Sequence, residues 1–223
     1  LSVEDVPAIV DLHRATLAAL GPGMLRERHP DEFREVIASS GLILGVWSPG
    51  RERLVAYATL LSAVPDGYVP PGAVRLPGNA RVGVLAGSAV RESHRGRGLH
   101  RRLLRERIVL ARDAHGLDGL VATAAPSNAS SWRNMMAYGL SITAIAPCHG
   151  SLRYVMVGET AEPGGHHPAG LSWIAAEDLA GQDHLLSQGM KGVTCRATGA
   201  GLEIGFRAED AAADDAPLVA PVD

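Results

Sequence analysis

The chain reads as an α/β domain built on a mixed sheet. Three observations point there: amphipathic stretches with clear stops, a strand–turn–strand pattern early in the chain, and strand–helix–strand units in its middle. At 223 residues it has the length of one domain with an appendage. Hydrophobic residues make up 46% and aromatics only 4%, so Ala, Val, Leu and Ile must fill the core. The net charge of −3 provides no general field for nucleic acid or membrane.

In order, residues 3–20 form a helix with Ile9, Leu12, His13, Thr16, Leu17 and Leu20 on one face, stopped by Gly21-Pro22-Gly23. Residues 30–39 form a shorter helix with Phe33, Val36 and Ile37 inward. Residues 41–47 and 54–63 are strands joined by S-P-G-R-E, a hairpin signal. Residues 64–79 carry Pro65, Pro70, Pro71 and Pro77 and read as a long loop, a length often kept for function. A strand at 81–90 leads into a helix at 99–115, whose apolar stripe is Leu99, Leu103, Leu104, Ile108 and Ala111. A strand at 120–125, a helix at 130–138 and strands at 142–146 and 152–157 complete the domain, 1–158.

Residues 159–170 read as a Gly/Pro linker, and 171–207 as strand (171–175), helix (176–188) and strand (193–206). This β-α-β-like appendage is too small for a core of its own. It is expected to pack on the domain or on a partner subunit, as in a homodimer. Residues 208–223 read as an acidic, flexible tail. Cys148 and Cys195 are far apart and in no metal-ligand spacing, which suits a reduced, cytoplasmic protein. His166-His167 has no partner ligand at useful spacing, so no metal is expected. No apolar run is long enough for a membrane span.

The most informative stretch runs from Ser88 to Leu104. A strand end, Ser88-Ala89-Val90, leads through Arg95-Gly96-Arg97-Gly98 to a helix start at Leu99. The first helical amides lack intrahelical acceptors, and the helix dipole adds positive charge there. Gly96 and Gly98 allow close approach of an oxygen-rich group, and Arg95 and Arg97 add charge. The Walker pattern is absent, and the dinucleotide fingerprint fails because Arg101 stands where its third glycine belongs.

Arg95-Gly96-Arg97-Gly98-Leu99-His100 resembles the pyrophosphate loop of the GNAT superfamily of N-acetyltransferases, with His100 where Gly or Ala is usual. Residues 122–140 resemble the superfamily's next strand and helix through Pro126, Asn128, Ser131, Arg133, Asn134 and Gly139. His149-Gly150-Ser151-Leu152-Arg153-Tyr154 is similar to the last strand of one bacterial subgroup. The resemblance covers roughly residues 3–157. It implies a mixed, mostly antiparallel central sheet flanked by helices, and acetyl-CoA as donor with CoA as product. Pantetheine would lie in an opening between the strands at 81–90 and 120–125, along Ala89 and Val90. The pyrophosphate would sit on the amides of Gly96 to His100, with Asn128, Ser131 and Arg133 beside the cofactor.

Acyl transfer to nitrogen needs a neutral nucleophile, a donor to the carbonyl oxygen and an acid for the leaving thiolate. The superfamily's usual acid, a Tyr, is Met135 here, so Tyr138 and Tyr154 become the candidates. The usual base is an acidic residue on the strand before the loop, but Leu85, Ala86, Gly87 and Ser88 include none. His149 and a water chain are the two candidates for the base, and Ser88 could hold such a water. Asp66 in the proline-rich loop is a further group within reach of the substrate side. The expected activity is direct acetyl transfer to a small-molecule amine. The alternatives are a protein N-terminal or lysine acetyltransferase, an acyl-CoA sensor without catalysis, and an RNA binder using the arginines of residues 91–112. The acidic tail and the spread of those arginines disfavour the last.

Overall fold

The computed structural model describes residues 1–21, 23–160 and 170–208. A 3₁₀ turn (Val3–Asp5) leads into α1 (Val6–Ala19), then α2 (Pro30–Ala38), β1 (Leu42–Trp47), β2 (Leu54–Leu61) and β3 (Val82–Val90). These are followed by α3 (Leu99–Asp113), β4 (Gly119–Ala124), α4 (Ala129–Met136), β5 (Ser141–Cys148) and β6 (Ser151–Glu159). The appendage supplies β7 (Ser172–Ala175), α5 (Leu179–Ser187), β8 (Met190–Thr198) and β9 (Gly201–Ala208). The reading of residues 193–206 as one strand is corrected. Gly201, at φ +135°, follows Gly199-Ala200 in a turn that folds the segment into the β8–β9 hairpin. The linker beyond Thr160, with His166-His167, and the tail beyond Ala208 lie outside the described residues.

One nine-stranded sheet runs β1-β2-β3-β4-β6-β5-β8-β9-β7. Strands β3 and β4 are parallel, and the other pairings among the described residues are antiparallel. Alternation along β2 assigns the two faces. Tyr57 packs with α1 through Ile9 and Leu12, whereas Ala56 and Ala58 pack under Leu103 of α3. Helices α1 and α3 therefore cover opposite faces. Strand β8 joins β5 at Ile142–Gly192, and Leu186, Ile204 and Phe206 enter the core cluster that holds Leu104, Trp132 and Tyr154. No helix among the described residues is long and apolar enough to cross a membrane.

Two irregularities open the sheet. Strands β3 and β4 pair only from Val82–Gly119 to Val84–Val121, although β3 continues to Val90 and β4 to Ala124. Beyond Val84 they diverge into a V. On the other edge of β3, Ala58 pairs with Ser88 but Leu60 pairs with Leu85, so Thr59 faces both Ala86 and Gly87. Such a bulge bends its strand and increases local twist. Arg107 of α3 crosses it, donating to the Thr59 carbonyl at 2.9 Å and the Ala86 carbonyl at 3.1 Å. Arg107 belongs by sequence to the run of arginines between residues 91 and 112, but it is 2% exposed.

Candidate active site

At the open end of the V, the chain leaves β3 at Val90 and reaches α3 through Arg95-Gly96-Arg97-Gly98. Gly96 and Gly98 adopt φ +74° and +73°, where an L side chain is strained. No atom lies within 4 Å of a Cβ placed at either, so the space above both glycines is open. The first intrahelical bond runs from the Arg102 amide to the Gly98 carbonyl at 3.0 Å, which leaves the preceding amides directed out of the helix end. Arg95 and Arg97 brace this turn by donating to the Val90 and Ser93 carbonyls, each at 3.2 Å. An open glycine cradle, outward amides and a free strand edge fit a pyrophosphate with an amide-bearing arm. Substituting Gly98→Glu brings backbone strain and a carboxylate to this cradle. Calorimetry is expected to show acetyl-CoA affinity reduced at least about tenfold, a loss typical of one strained residue plus like-charge repulsion.

The V holds a cleft of about 680 Å³, counting its open mouth. Its walls are β3 from Leu85 to Ser88, Thr123 and Ala124 of β4, the start of α4, and His100 and Arg107 of α3. Tyr68 from the proline-rich loop, Met24, Leu25, Arg26 and Arg28 before α2, His149 and Arg153 close the far end. Ser88, His100, Asn128, Ser131 and His149 are thus brought together. Asn128 also caps α4, its side-chain oxygen accepting from the Ser131 amide at 3.3 Å and the Ser130 hydroxyl at 3.1 Å. His100 ties α3 to α4: its Nδ1 accepts from the Asn134 amide at 2.9 Å, and burial pulls it down to about 4.

Other expected residues do not line the cleft. Tyr154 is fully buried against Trp132, and its hydroxyl donates to Gln182 of α5 at 2.8 Å, so the appendage occupies its polar end. Burial also pushes its hydroxyl up to about 12. Tyr138, in the turn after α4, packs against the main core cluster. Leu99 packs beside Leu103, Ala89 beside Tyr57, and Val90 near Ala56, so the last two can offer backbone rather than side chains. Arg133 and Asp66 are exposed and outside the cleft.

The turn between β5 and β6 aims His149. Cys148 pairs with Ser151, and the two-residue loop His149-Gly150 has φ +54° and +77°, the signature of a type I′ turn. The imidazole meets the Tyr68 ring edge-on, with centroids 4.8 Å apart. Burial, then the nearby Arg26, Arg153 and Arg28, lowers its pKa, which keeps it neutral at pH 7. Burial also raises the Tyr68 pKa, so that phenol stays protonated. Sequence reasoning missed Tyr68, Arg28 and Arg153 as cleft residues, because two of them come from loops without periodicity.

The sequence profile of the acetyltransferase (GNAT) family matches residues 10–139. No protein of curated function matches the chain. Among solved structures, the fold is similar to yncA from Salmonella typhimurium with its cofactor acetyl-CoA, at TM-score 0.54 and 21% identity over 74% of this chain and 94% of that one. It is also similar to the PaiA N-acetyltransferase from Thermoplasma acidophilum in complex with coenzyme A, at TM-score 0.54 and 13% identity over 71% and 95%. The ribosomal-protein-S5-alanine acetyltransferase from Vibrio fischeri gives TM-score 0.54 and 14% identity over 72% and 91%. The family match spans the glycine cradle, both arms of the V and α4, and on that ground the chain belongs to the GNAT family of acetyl-CoA-dependent N-acetyltransferases.

Proposed function

We propose that the chain moves the acetyl group of acetyl-CoA to the nitrogen of a small-molecule amine by direct attack in a complex holding both. The observation that carries this reading is the roofed far end of the cleft. Arg28 and Leu25 lie over Gly87 of β3, at 3.7–3.9 Å from where its Cβ would be. That roof suits a compact acceptor better than a polypeptide. Acetyl-CoA supplies an activated thioester. The amides from Gly96 to His100 seat its pyrophosphate, and the free edge of β3 near Ala89 and Val90 orients the pantetheine arm and offers an N–H to the carbonyl oxygen.

Neutral His149 accepts the proton of the attacking amine, directly or through a water held by Ser88. Its left-handed backbone costs about 1 kcal/mol, strain of the kind found at functional turns. With Tyr138 and Tyr154 away from the cleft, the protonated Tyr68 hydroxyl is the donor available to the leaving thiolate. The test is thiol release from acetyl-CoA across an amine panel. His149→Gln is expected to lower kcat on the order of 10²-fold, with little change in the KM for acetyl-CoA. An unchanged kcat would remove His149 as base. Acetyl-CoA binding without turnover on any amine would instead favour the sensor reading.

A further inference from the structure

The far end of the cleft is cationic. Arg26, Arg28 and Arg153 line it, Arg107 stands on the adjoining α3 wall, and no Asp or Glu lines the cleft among the described residues. Two of these guanidinium groups are accounted for. Arg107 staples the bulge, and Arg26 pairs with Glu32. The other two form no ion pair with a carboxylate among the described residues, although Glu32 acts on Arg28 at longer range. Arg153 is 4% exposed and spends its Nε on the Ser151 hydroxyl at 2.9 Å. The Arg28 guanidinium lies against the Phe33 ring face, 5.8 Å from its centroid, and its side chain makes no hydrogen bond among the described residues. One carboxylate, Glu32, beside the partly buried Arg26 and Arg28 and the buried Arg153 leaves the lining with an excess of positive charge, which suits an anionic ligand.

We propose that the acceptor is an amino-carboxylate, whose carboxylate is held by Arg28 and Arg153 while its nitrogen faces the thioester. This rests on the acetyltransferase reading and names the substrate class for it. The position of Arg28 argues for the pairing, because its guanidinium overlies Gly87, one residue from Ser88 on the strand edge that flanks the thioester. Carboxylate and amine are therefore separated by a few bonds. Guanidinium groups favour planar, paired recognition of carboxylates. Their field also disfavours an ammonium beside them, so the acceptor nitrogen is eased toward its neutral, nucleophilic form.

The experiment compares amino acids with their carboxamides as acceptors, and calorimetry measures binding of the N-acetylated acid and N-acetylated amide to the CoA-saturated protein. The acids are expected to have kcat/KM roughly 10- to 100-fold higher, the range given by one or two charged hydrogen bonds. In Arg28→Gln and in Arg153→Gln, each checked for folding by circular dichroism, that ratio is expected to fall toward one. Equal use of acid and amide by the wild-type protein overturns the inference and leaves the acetyltransferase reading standing. If no amine is acetylated but the N-acetylated acid binds in an Arg28-dependent way, the anion seat stands and the acetyltransferase reading falls. If neither N-acetylated ligand binds and no acid is preferred, the anion seat is overturned.

Discussion

Replacing Arg107 with Met is expected to lower the unfolding free energy by about 3 kcal/mol, the cost of leaving two buried carbonyls without donors. The Thr59 and Ala86 carbonyls both receive the Arg107 Nη1, at 2.9 and 3.1 Å, and they meet at the bulge where the ladder cannot pair them. Burial pulls the guanidinium pKa down to about 10, so it remains charged at neutral pH. The buried cation carries its own desolvation cost, and its removal returns part of the loss. The balance still favours arginine, because three carbonyls including that of Leu103 at 3.3 Å solvate the charge. Arg107→Lys keeps the charge but cannot span the same acceptors, and should lose roughly half as much. Urea midpoints at constant m report both values. A loss under about 1 kcal/mol for the Met variant would show that the bulge does not depend on this donor. The Met variant should also lower affinity for acetyl-CoA, since the bulge sets how far β3 swings from β4.

The same residue shows what was legible in the sequence. Arg107 lies three and four positions from Leu104, Leu103 and Ala111, on the buried stripe of α3, so helical spacing alone marked it as inward. Local charge density concealed it. The glycine cradle was legible because its geometry is set by its own residues: two glycines, a strand before and a helix after. Asn128 was legible for its position but not for its capping bond. Tyr154 misled because strand alternation says which face a residue takes, not what covers that face, and Gln182 lies 28 residues away in the appendage. The cationic far end was invisible for a related reason. Arg28, Tyr68 and Arg153 come from two loops and a strand, and only the closed fold puts them against one cavity. The β8–β9 turn, by contrast, carried its own signal in Gly199-Ala200-Gly201.

Acid should destabilise the protein well before its carboxylates titrate. His13 is 2% exposed, and its Nε2 accepts the Arg28 backbone N–H at 3.2 Å. That bond places the proton on Nδ1, which donates to the Tyr57 hydroxyl at 2.8 Å. Protonating Nε2 breaks the bond to Arg28 and sets a buried cation near Arg28 and Arg26. Burial first, then those two arginines, lowers the pKa from 6.5 to about 4. The unfolded chain therefore binds more protons than the folded one between pH 6.5 and 4. Stability contributed by neutral His13 is complete above pH 6.5 and is lost as pH falls toward 4. The loss is about 2 kcal/mol at pH 5 and about 3 kcal/mol below pH 4, at 1.36 kcal/mol per unit. His100, pulled down to about 4 by burial, adds a loss of the same sign. Urea unfolding at pH 7.5 and pH 5 measures the fall directly. His13→Gln removes the titrating group, so its stability should drop between those pH values by about 2 kcal/mol less than that of the wild type. Parallel pH profiles for the two proteins would mean that His13 takes up its proton as readily in the folded as in the unfolded chain. Because the His13 acceptor bond holds the backbone of Arg28, acid should loosen the roof of the cleft before the molecule unfolds, and acceptor KM should rise below pH 6 ahead of any change in the far-UV circular dichroism.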